Sequence, residues 1–420
     1  MIHFAVALVA PSRHEIKSTQ FAAMRPTEPP LKRVLFAISL GAVAIASAGL
    51  PAADPAPPPK TITDRDALFR KTQVLNLSIE VGKDESESLR REPRKYVKVT
   101  LKDGGNEYAD AAMHLKGAAG STRGFDDKPG LTLNMDKFTD GLRFRGMDKF
   151  HLSNSVQDPS YITELICGEL YRAAGVPASR ISHATLTLAG RKRGLYYIKE
   201  GYDKQFLRDH FGVSTGNFYD GGFLRDIDQP LELISGKGDV ADRADLKALF
   251  AAAQEQNEKK RFEKLEKLLD MDRFITFLVL QVVTWDWDGY PMTRNNYRLY
   301  HDPKLNKITF IPSGMDQMFT DPNGPILPHF QGIVAAQVMN TKEGKKRYIA
   351  RMREIMQTVY SVDRLTKRLD ELEAVVQPAL ASVDDGAGRD YKNQVNRVRE
   401  AVKQRAKSIE QQLKQLPPER

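Results

Sequence analysis

Trp285-Asp286-Trp287-Asp288-Gly289-Tyr290-Pro291-Met292-Thr293-Arg294-Asn295-Asn296-Tyr297 is the densest polar cluster of this chain, and it holds both of its tryptophans. An almost apolar helical run through Phe274, Phe277, Leu278, Val282 and Val283 precedes it, with Asp272 as the expected cap. Two short β patterns follow, residues 296–300 and 308–311. They flank Asp302-Pro303-Lys304-Leu305-Asn306-Lys307 and read as a hairpin. Pro312-Ser313-Gly314-Met315-Asp316-Gln317 comes directly after it. The order is therefore helix, loop with Asp and Asn, hairpin, and an Asp at the exit of a strand.

Upstream, the patterning changes period. Residues 73–152 alternate in the manner of strands: Val74, Leu75, Leu77, Ile79 and Val81; Tyr96, Val97, Val99 and Leu101; Met113 and Leu115; Leu131, Leu133 and Met135. They predict a small, largely antiparallel sheet. A helix over 159–174 follows, with Asp158 as N-cap, Pro159 at the first position, and Gly175 and Pro177 as the stop. Cys167 lies in that helix and reads as a buried apolar residue. Two strands, 184–188 and 194–199, are joined by a turn at 190–193, and 202–211 reads as helical. A charged amphipathic stretch occupies 243–270. From about 342 to 416 the chain reads as charged helices, broken at Asp384-Asp385-Gly386. The expected fold class is α+β, with a β-rich N-terminal lobe (71–200) holding one main helix and a mostly helical C-terminal lobe (201–418) holding the loop and hairpin.

Composition sets outer limits. At 420 residues with 41% hydrophobic and 28% charged content, the chain is not disordered and can bury a large core. The 63 Lys and Arg against 54 Asp and Glu give +9, a mild excess spread along the chain, so nucleic acid is not an expected partner. One cysteine excludes an intrachain disulfide and a multi-cysteine zinc site. Lys32 and Arg33 before an apolar run from Val34 to Ala48, with Ala46-Ser47-Ala48 as a small-x-small site, read as a secretory signal segment over 1–52. Met24 reads as a more natural start than Met1. Residues 53–70 are expected to be a linker. Secretion or a periplasmic location follows, with an uncleaved signal anchor as the alternative and the sole membrane contact.

HExxH, Walker A and dinucleotide patterns do not occur in the chain. The layout around residues 285–316 matches phosphoryl-transfer chemistry of the protein-kinase kind. There, a loop carboxylate takes the proton of the acceptor hydroxyl, while an amide oxygen and a strand-end carboxylate bind magnesium. Such hard oxygen ligands suit a divalent cation. The bland reading treats Asp-Gly and Asn-Asn as turn formers and Asp316 as a helix cap. His114-Leu115-Lys116-Gly117-Ala118-Ala119-Gly120-Ser121-Thr122-Arg123-Gly124 offers backbone N–H groups and Lys116 to phosphate, or is simply a hairpin tip. The exit of the 194–199 strand stands where a kinase hinge would meet adenine.

The chain resembles the CotH kinase family over about residues 70–400. The resemblance is carried by His114-Leu115-Lys116-Gly117 with Lys128-Pro129, by Leu152-Ser153-Asn154-Ser155-Val156-Gln157-Asp158-Pro159-Ser160-Tyr161, and by Ala174-Gly175-Val176-Pro177. Gly194-Leu195-Tyr196-Tyr197-Ile198-Lys199-Glu200-Gly201-Tyr202-Asp203, Trp287-Asp288-Gly289 with Asn296-Tyr297-Arg298-Leu299-Tyr300, and Ile311-Pro312 with Met315-Asp316 complete it. It implies a divergent, two-lobed protein-kinase-like fold. It also implies an atypical protein kinase that uses ATP and Mg²⁺ or Mn²⁺ on a serine-rich envelope or surface protein. By the same resemblance Asp288 is the catalytic-loop aspartate, Asn296 and Asp316 are metal ligands, and Lys116, Lys128 and Glu200 belong to the nucleotide pocket. Asp286 is an alternative base. Relatives read Trp-Asp-x-Asp where this chain has Ser313-Gly314-Met315-Asp316, one carboxylate fewer. A surface adhesin or a non-catalytic envelope scaffold is the alternative function.

Overall fold

Seven strands between residues 74 and 200 close into a barrel. They are β1 (Val74–Glu80), β2 (Val97–Asp103), β3 (Asn106–Lys116), β4 (Gly130–Asn134), β5 (Lys149–Ser153), β6 (Ile181–Leu188) and β7 (Arg191–Glu200). The order around the barrel is β1-β2-β3-β4-β5-β7-β6. Every pairing is antiparallel except the closing one, in which Val74 to Ile79 of β1 run parallel to His183 to Leu188 of β6. The expected small, largely antiparallel sheet is thus closed, and closure removes the exposed edges that an open sheet presents. Alternation along the strands fills the interior: Val97, Val99 and Leu101 point in, while Lys98 and Lys102 stay outside.

The computed structural model describes residues 63–236 and 242–416. The signal-segment reading, with Lys32 to Ala52, lies outside these residues, as does most of the expected linker. The described end of that linker is already helical. α1 (Asp64–Arg70) is fixed by a capping box between Thr63 and Asp66 and by burial of Arg65 and Leu68. α2 (Lys83–Arg91) connects β1 to β2, and α3 (Thr163–Ala173) connects β5 to β6. α3 starts four residues later than the sequence reading, because residues 155–162 turn first and Tyr161 takes a left-handed φ of 58°. Asp158 still serves that end, its carboxylate accepting from the Thr163 N–H at 2.9 Å and the Ser160 N–H at 3.0 Å. Cys167 is fully buried in α3, and burial pushes its thiol well above the usual range.

Beyond the barrel come α4 (Lys204–Phe211), α5 (Ala244–Ala253), α6 (Glu258–Leu268), α7 (Met271–Val283) and α8 (Tyr290–Thr293). α9 (Ile333–Met339), α10 (Lys342–Thr358), α11 (Val362–Ala381) and α12 (Asp385–Gln415) complete the helices. α7 is buried on all sides, as its apolar run requires. Its cap is Asp270, whose carboxylate accepts from the Arg273 N–H, and not Asp272. The hairpin is present as β10 (Tyr297–Asp302) and β11 (Lys307–Pro312). Two strands that the sequence reading missed, β8 (Asn217–Asp220) and β9 (Glu232–Ser235), extend it to a four-stranded sheet in the order β11-β10-β8-β9. At four residues each they are too short to show alternation. None of the described helices is long and apolar enough to cross a membrane.

The far end of this sheet carries a charged lock. His301 on β10 has one ring nitrogen 3.1 Å from Asp245 of α5 and the other 2.9 Å from the amide oxygen of Asn306, so both donate only when the ring is protonated. The bond to Asp245 raises His301 above its ordinary value. Burial works against the Asp245 charge, but donors from His301, Asn217 and Tyr219 outweigh it and bring Asp245 to about 2. Because the folded pKa of His301 is raised, its stabilisation is fully present below about pH 6.5 and is lost as pH rises through the folded value. His301→Gln should therefore lower the melting temperature most at pH 5.5–6 and progressively less in alkaline buffer. A pH-independent difference in thermal melts would contradict the lock.

Candidate functional site

A cavity of about 910 Å³ is walled on one side by the outer face of the barrel. Strand register decides what that wall carries. His114 on β3 lies opposite Thr132 on β4, Thr132 opposite His151 on β5, and His151 opposite Lys199 on β7. Lys116, Ser153 and Tyr197 share the same face, while Leu115, Leu131, Leu152 and Ile198 point into the barrel. Arg94 and Lys149 add further positive charge to the wall.

Two lysines dominate this face. Lys116 donates to Ser153 Oγ at 2.8 Å, and burial together with the Lys199 charge lowers it to about 8. Lys199 forms a buried ion pair with Glu164, in the first turn of α3, and Tyr197 Oη donates to the same carboxylate at 2.7 Å. Burial opposes both charges of the pair. The partner charge prevails in each case, holding Lys199 above and Glu164 below its ordinary value, so the pair is ionised. Neither residue was singled out by sequence reasoning. The signal available was a lysine one residue before the end of β7 and an acid in the first turn of the helix between β5 and β6.

The β3–β4 connection overhangs the cavity through Gly117, Ala118, Ala119 and Ser121. Gly117 has φ 140°, and a Cβ there would meet the Thr122 backbone at 2.9 Å. Arg94 donates to the carbonyls of Leu115 and Gly117, and Asn154 Nδ2 donates to those of Ser121 (3.0 Å) and Lys128 (2.9 Å). The loop is thereby pinned at both ends.

The opposite wall is acidic. Asp288 is held by three amide contacts, from Asn295 Nδ2 to each carboxylate oxygen at 3.1 Å and from Asn296 Nδ2 at 2.9 Å. Left-handed φ values at Arg294 (59°) and Asn296 (50°) turn the chain from α8 into β10, a conformation that asparagine accepts more readily than most residues. Asn296 also receives the returning strand: its carbonyl accepts from the Ser313 N–H at 2.9 Å, and its Nδ2 donates to the Gly314 carbonyl at 3.3 Å. That contact brings Asp316 to the same cavity. Gly314, at φ 63°, leaves no room for a side chain, since a Cβ would stand 2.6 Å from Asn296 Oδ1. A side chain at position 314 would therefore require Asn296 to move.

Of the residues selected from sequence, Lys116, Asp288, Asn296 and Asp316 line the one cavity, and Lys128 and Glu200 do not. Lys128 donates to Tyr161 Oη at 2.6 Å and lies over the rings of Tyr161 and Tyr196. Glu200 is consumed by Arg180 at 2.6 Å and Arg65 at 3.5 Å. The strand exit does not offer a hinge. The Glu200 N–H donates to Arg180 O, its carbonyl accepts from Ser179, and the Gly201 N–H donates to Lys149 O. Asp286 is buried behind the wall on Gln281 Nε2 at 2.7 Å. Burial, then the Asp288, Asp316 and Glu164 charges, push its carboxyl well above the usual range, and Asp286 is not among the residues that line the cavity.

Among the described residues no three His, Cys, Asp or Glu side chains gather into a metal cluster. What the cavity offers a cation is the Asp316 carboxylate and the Asn296 amide oxygen, whose nitrogen is already committed. This donor set does not make a self-sufficient metal site. It fits a magnesium ion that takes its other ligands from phosphate and water. Burial first, then Glu164 and Asp158, raise Asp316 to about 6. Its charge at neutral pH therefore costs stability, at most about 3 kcal/mol. Asp316→Asn should raise the unfolding midpoint of the ligand-free protein at pH 7.5 and have no such effect near pH 4. A drop in stability at pH 7.5 would contradict the assignment of an uncompensated charge.

The family described as CotH kinase protein matches residues 113–409, a span that takes in every candidate from Lys116 to Asp316. The chain is similar to Invasin CotH3 of Rhizopus delemar, at 27% identity over 188 residues, 40% of this chain and 31% of that protein. Spore coat protein homolog 1 of the same organism is 22% identical over 182 residues, covering 40% and 30% of the two chains. The chain thus spans about a third of the length of the curated relatives it matches. Among solved structures it is similar to the Helicobacter pylori proinflammatory kinase CtkA, with TM-score 0.35, 9% identity, and coverage of 72% of this chain and 97% of that one. HipA of Shewanella oneidensis MR-1, solved with HipB and operator DNA, gives TM-score 0.35, 13% identity and coverage of 72% and 69%.

Proposed function

The chain belongs to the CotH kinase protein family, and on that premise we propose that it is a two-lobed protein kinase transferring the γ-phosphoryl group of ATP to a serine or threonine of an envelope or surface protein. The observation that carries this reading is the charge division of one cavity. Lys116, Lys199 and the pinned β3–β4 loop stand on one side, and Asp288, Asn296 and Asp316 on the other. Phosphates favour the first wall and a hydroxyl to be deprotonated favours the second.

In this reading Lys116 and Lys199 balance phosphate charge, and Glu164 orients Lys199. Asp288 accepts the proton of the acceptor hydroxyl as its oxygen bonds to the γ-phosphorus. The bond from that phosphorus to the bridging oxygen breaks, and the electron pair leaves with ADP. Asn296 Oδ1 and Asp316 would hold Mg²⁺ or Mn²⁺, which supplies neutralisation of the phosphate oxygens when bound. Asn295 and Asn296 keep the Asp288 carboxylate turned to the cavity. Export through the Lys32-led segment belongs to the same proposal.

A second reading, an adhesin or non-catalytic scaffold, is favoured by the name invasin borne by relatives, and the family resemblance, which implies one carboxylate more than Ser313-Gly314-Met315-Asp316 offers, agrees with it. Thermal melts with ATP and Mg²⁺ separate the two. The kinase reading expects a stabilisation of about 2.7 kcal/mol at 100 times the dissociation constant, and labelled phosphate should pass to a serine-rich protein. A wild-type protein that neither shifts nor transfers label is a scaffold.

A further inference from the structure

The two tryptophans of the 285–289 loop differ in exposure and in partners. Trp285 takes a left-handed φ of 50°, and its ring packs on Gly324 beneath the Arg405 guanidinium, 5.3 Å from the ring centre. Arg405 is itself fully buried and donates to the carbonyls of Val282 and Gly324. Trp287, two residues on, is 39% exposed and has no aromatic or cation partner among the described residues. Asp288, the next residue, faces the cavity, but Trp287 is not part of the cavity wall.

This exposure is imposed by a fixed loop. The Asp286 N–H donates to Gln281 O, the Trp287 N–H to Trp285 O, and the Gly289 N–H to Asp286 O. The side chains on either side of Trp287 are also held, Asp286 by Gln281 and Asp288 by Asn295 and Asn296. A left-handed φ at a bulky residue is unfavourable on its own. Here it accompanies one indole half-buried against Gly324 and Arg405 and one exposed, on the residue before the Asp288 that lines the cavity.

We propose that Trp287 is the docking anchor for the protein segment that carries the acceptor hydroxyl, and that it selects an aliphatic or aromatic residue near that hydroxyl in sequence. This rests on the kinase reading above. The occupant follows from position: a nucleotide fills the inside of the cavity, whereas the acceptor enters from outside and must reach Asp288. An extended segment advances about 3.3 Å per residue, so the residue over Trp287 lies within about three positions of the acceptor. A rigid indole offers a large contact area with little side-chain entropy to lose, which is why tryptophan is enriched at interface hot spots.

The test uses the full chain, labelled Mg·ATP, and an oriented library of peptides with one fixed serine and each position from −3 to +3 scanned. Wild type should prefer apolar residues at one scanned position. Trp287→Ala should lose that preference and raise KM for the preferred peptide by about tenfold, one hot-spot contact, with the nucleotide-induced thermal shift and the KM for Mg·ATP unchanged. Trp287→Phe should retain most of the selection. Wild-type transfer without apolar selection, or equal selection by Trp287→Ala, overturns the anchor and leaves the kinase reading standing. Absence of both nucleotide shift and transfer in wild type ends the two together.

Discussion

Asp288→Asn is expected to lower phosphoryl transfer by about 10²–10⁴-fold while preserving the Mg·ATP-induced thermal shift. The substitution keeps the shape of the side chain and removes its capacity to accept the hydroxyl proton. It also turns at least one of three amide contacts from donor–acceptor into donor–donor, so a modest rise in peptide KM should accompany the loss of turnover. Single-turnover transfer to a serine peptide, measured beside nucleotide binding, separates the effects. Transfer within twofold of wild type would remove Asp288 from the role of proton acceptor. Asp286 would not inherit that role, since it is buried and does not line the cavity.

Lys199→Met should cost about 3–5 kcal/mol of unfolding free energy, because it leaves Glu164 as an uncompensated buried charge. The pair is almost fully shielded, with side-chain exposures of 8% and 3%, so solvent screening does little to reduce this figure. Lys116 is near enough to interact with Glu164, but it is already committed to Ser153. Adding Glu164→Leu to Lys199→Met should recover part of the loss, since both charges are then gone and the site is apolar. Urea unfolding of the two single variants and the double variant gives the coupling directly. If the double variant were as unstable as the sum of the singles, the two residues would not be acting as a pair. Transfer should be lost in all three variants, whatever their stability.

Several parts of this architecture were readable because they depend on neighbours in sequence. The α7 helix, the 284–297 loop and the β10–β11 hairpin form one continuous stretch. A hairpin returns the chain to where it left, so Asp288, Asn296 and Asp316 had to come close. The break before α12 was carried by Asp384 as a cap, and burial of Cys167 followed from its place on the apolar side of α3. Cap positions were less secure. Asp272 competed with Asp270 two residues away, and the left-handed turn at Tyr161 delayed α3 in a way no propensity announces.

What local pattern determined about this protein is its α+β class, the switch from period two to period 3.6, and the loop-hairpin unit that gathers the acidic wall. Tertiary structure alone decided the rest. Lys199 and Glu200 are adjacent, and both are chemically suited to a nucleotide pocket. Successive strand residues face opposite sides, so only the register of β7 against β5 could place Lys199 on the cavity and send Glu200 to Arg180 and Arg65. Glu164 found Lys199, and β1 found β6, across sequence separations that no periodicity encodes. Those contacts form because the barrel closes and buries one face of α3 against it, and burial of a charged pair is a property of the packed whole.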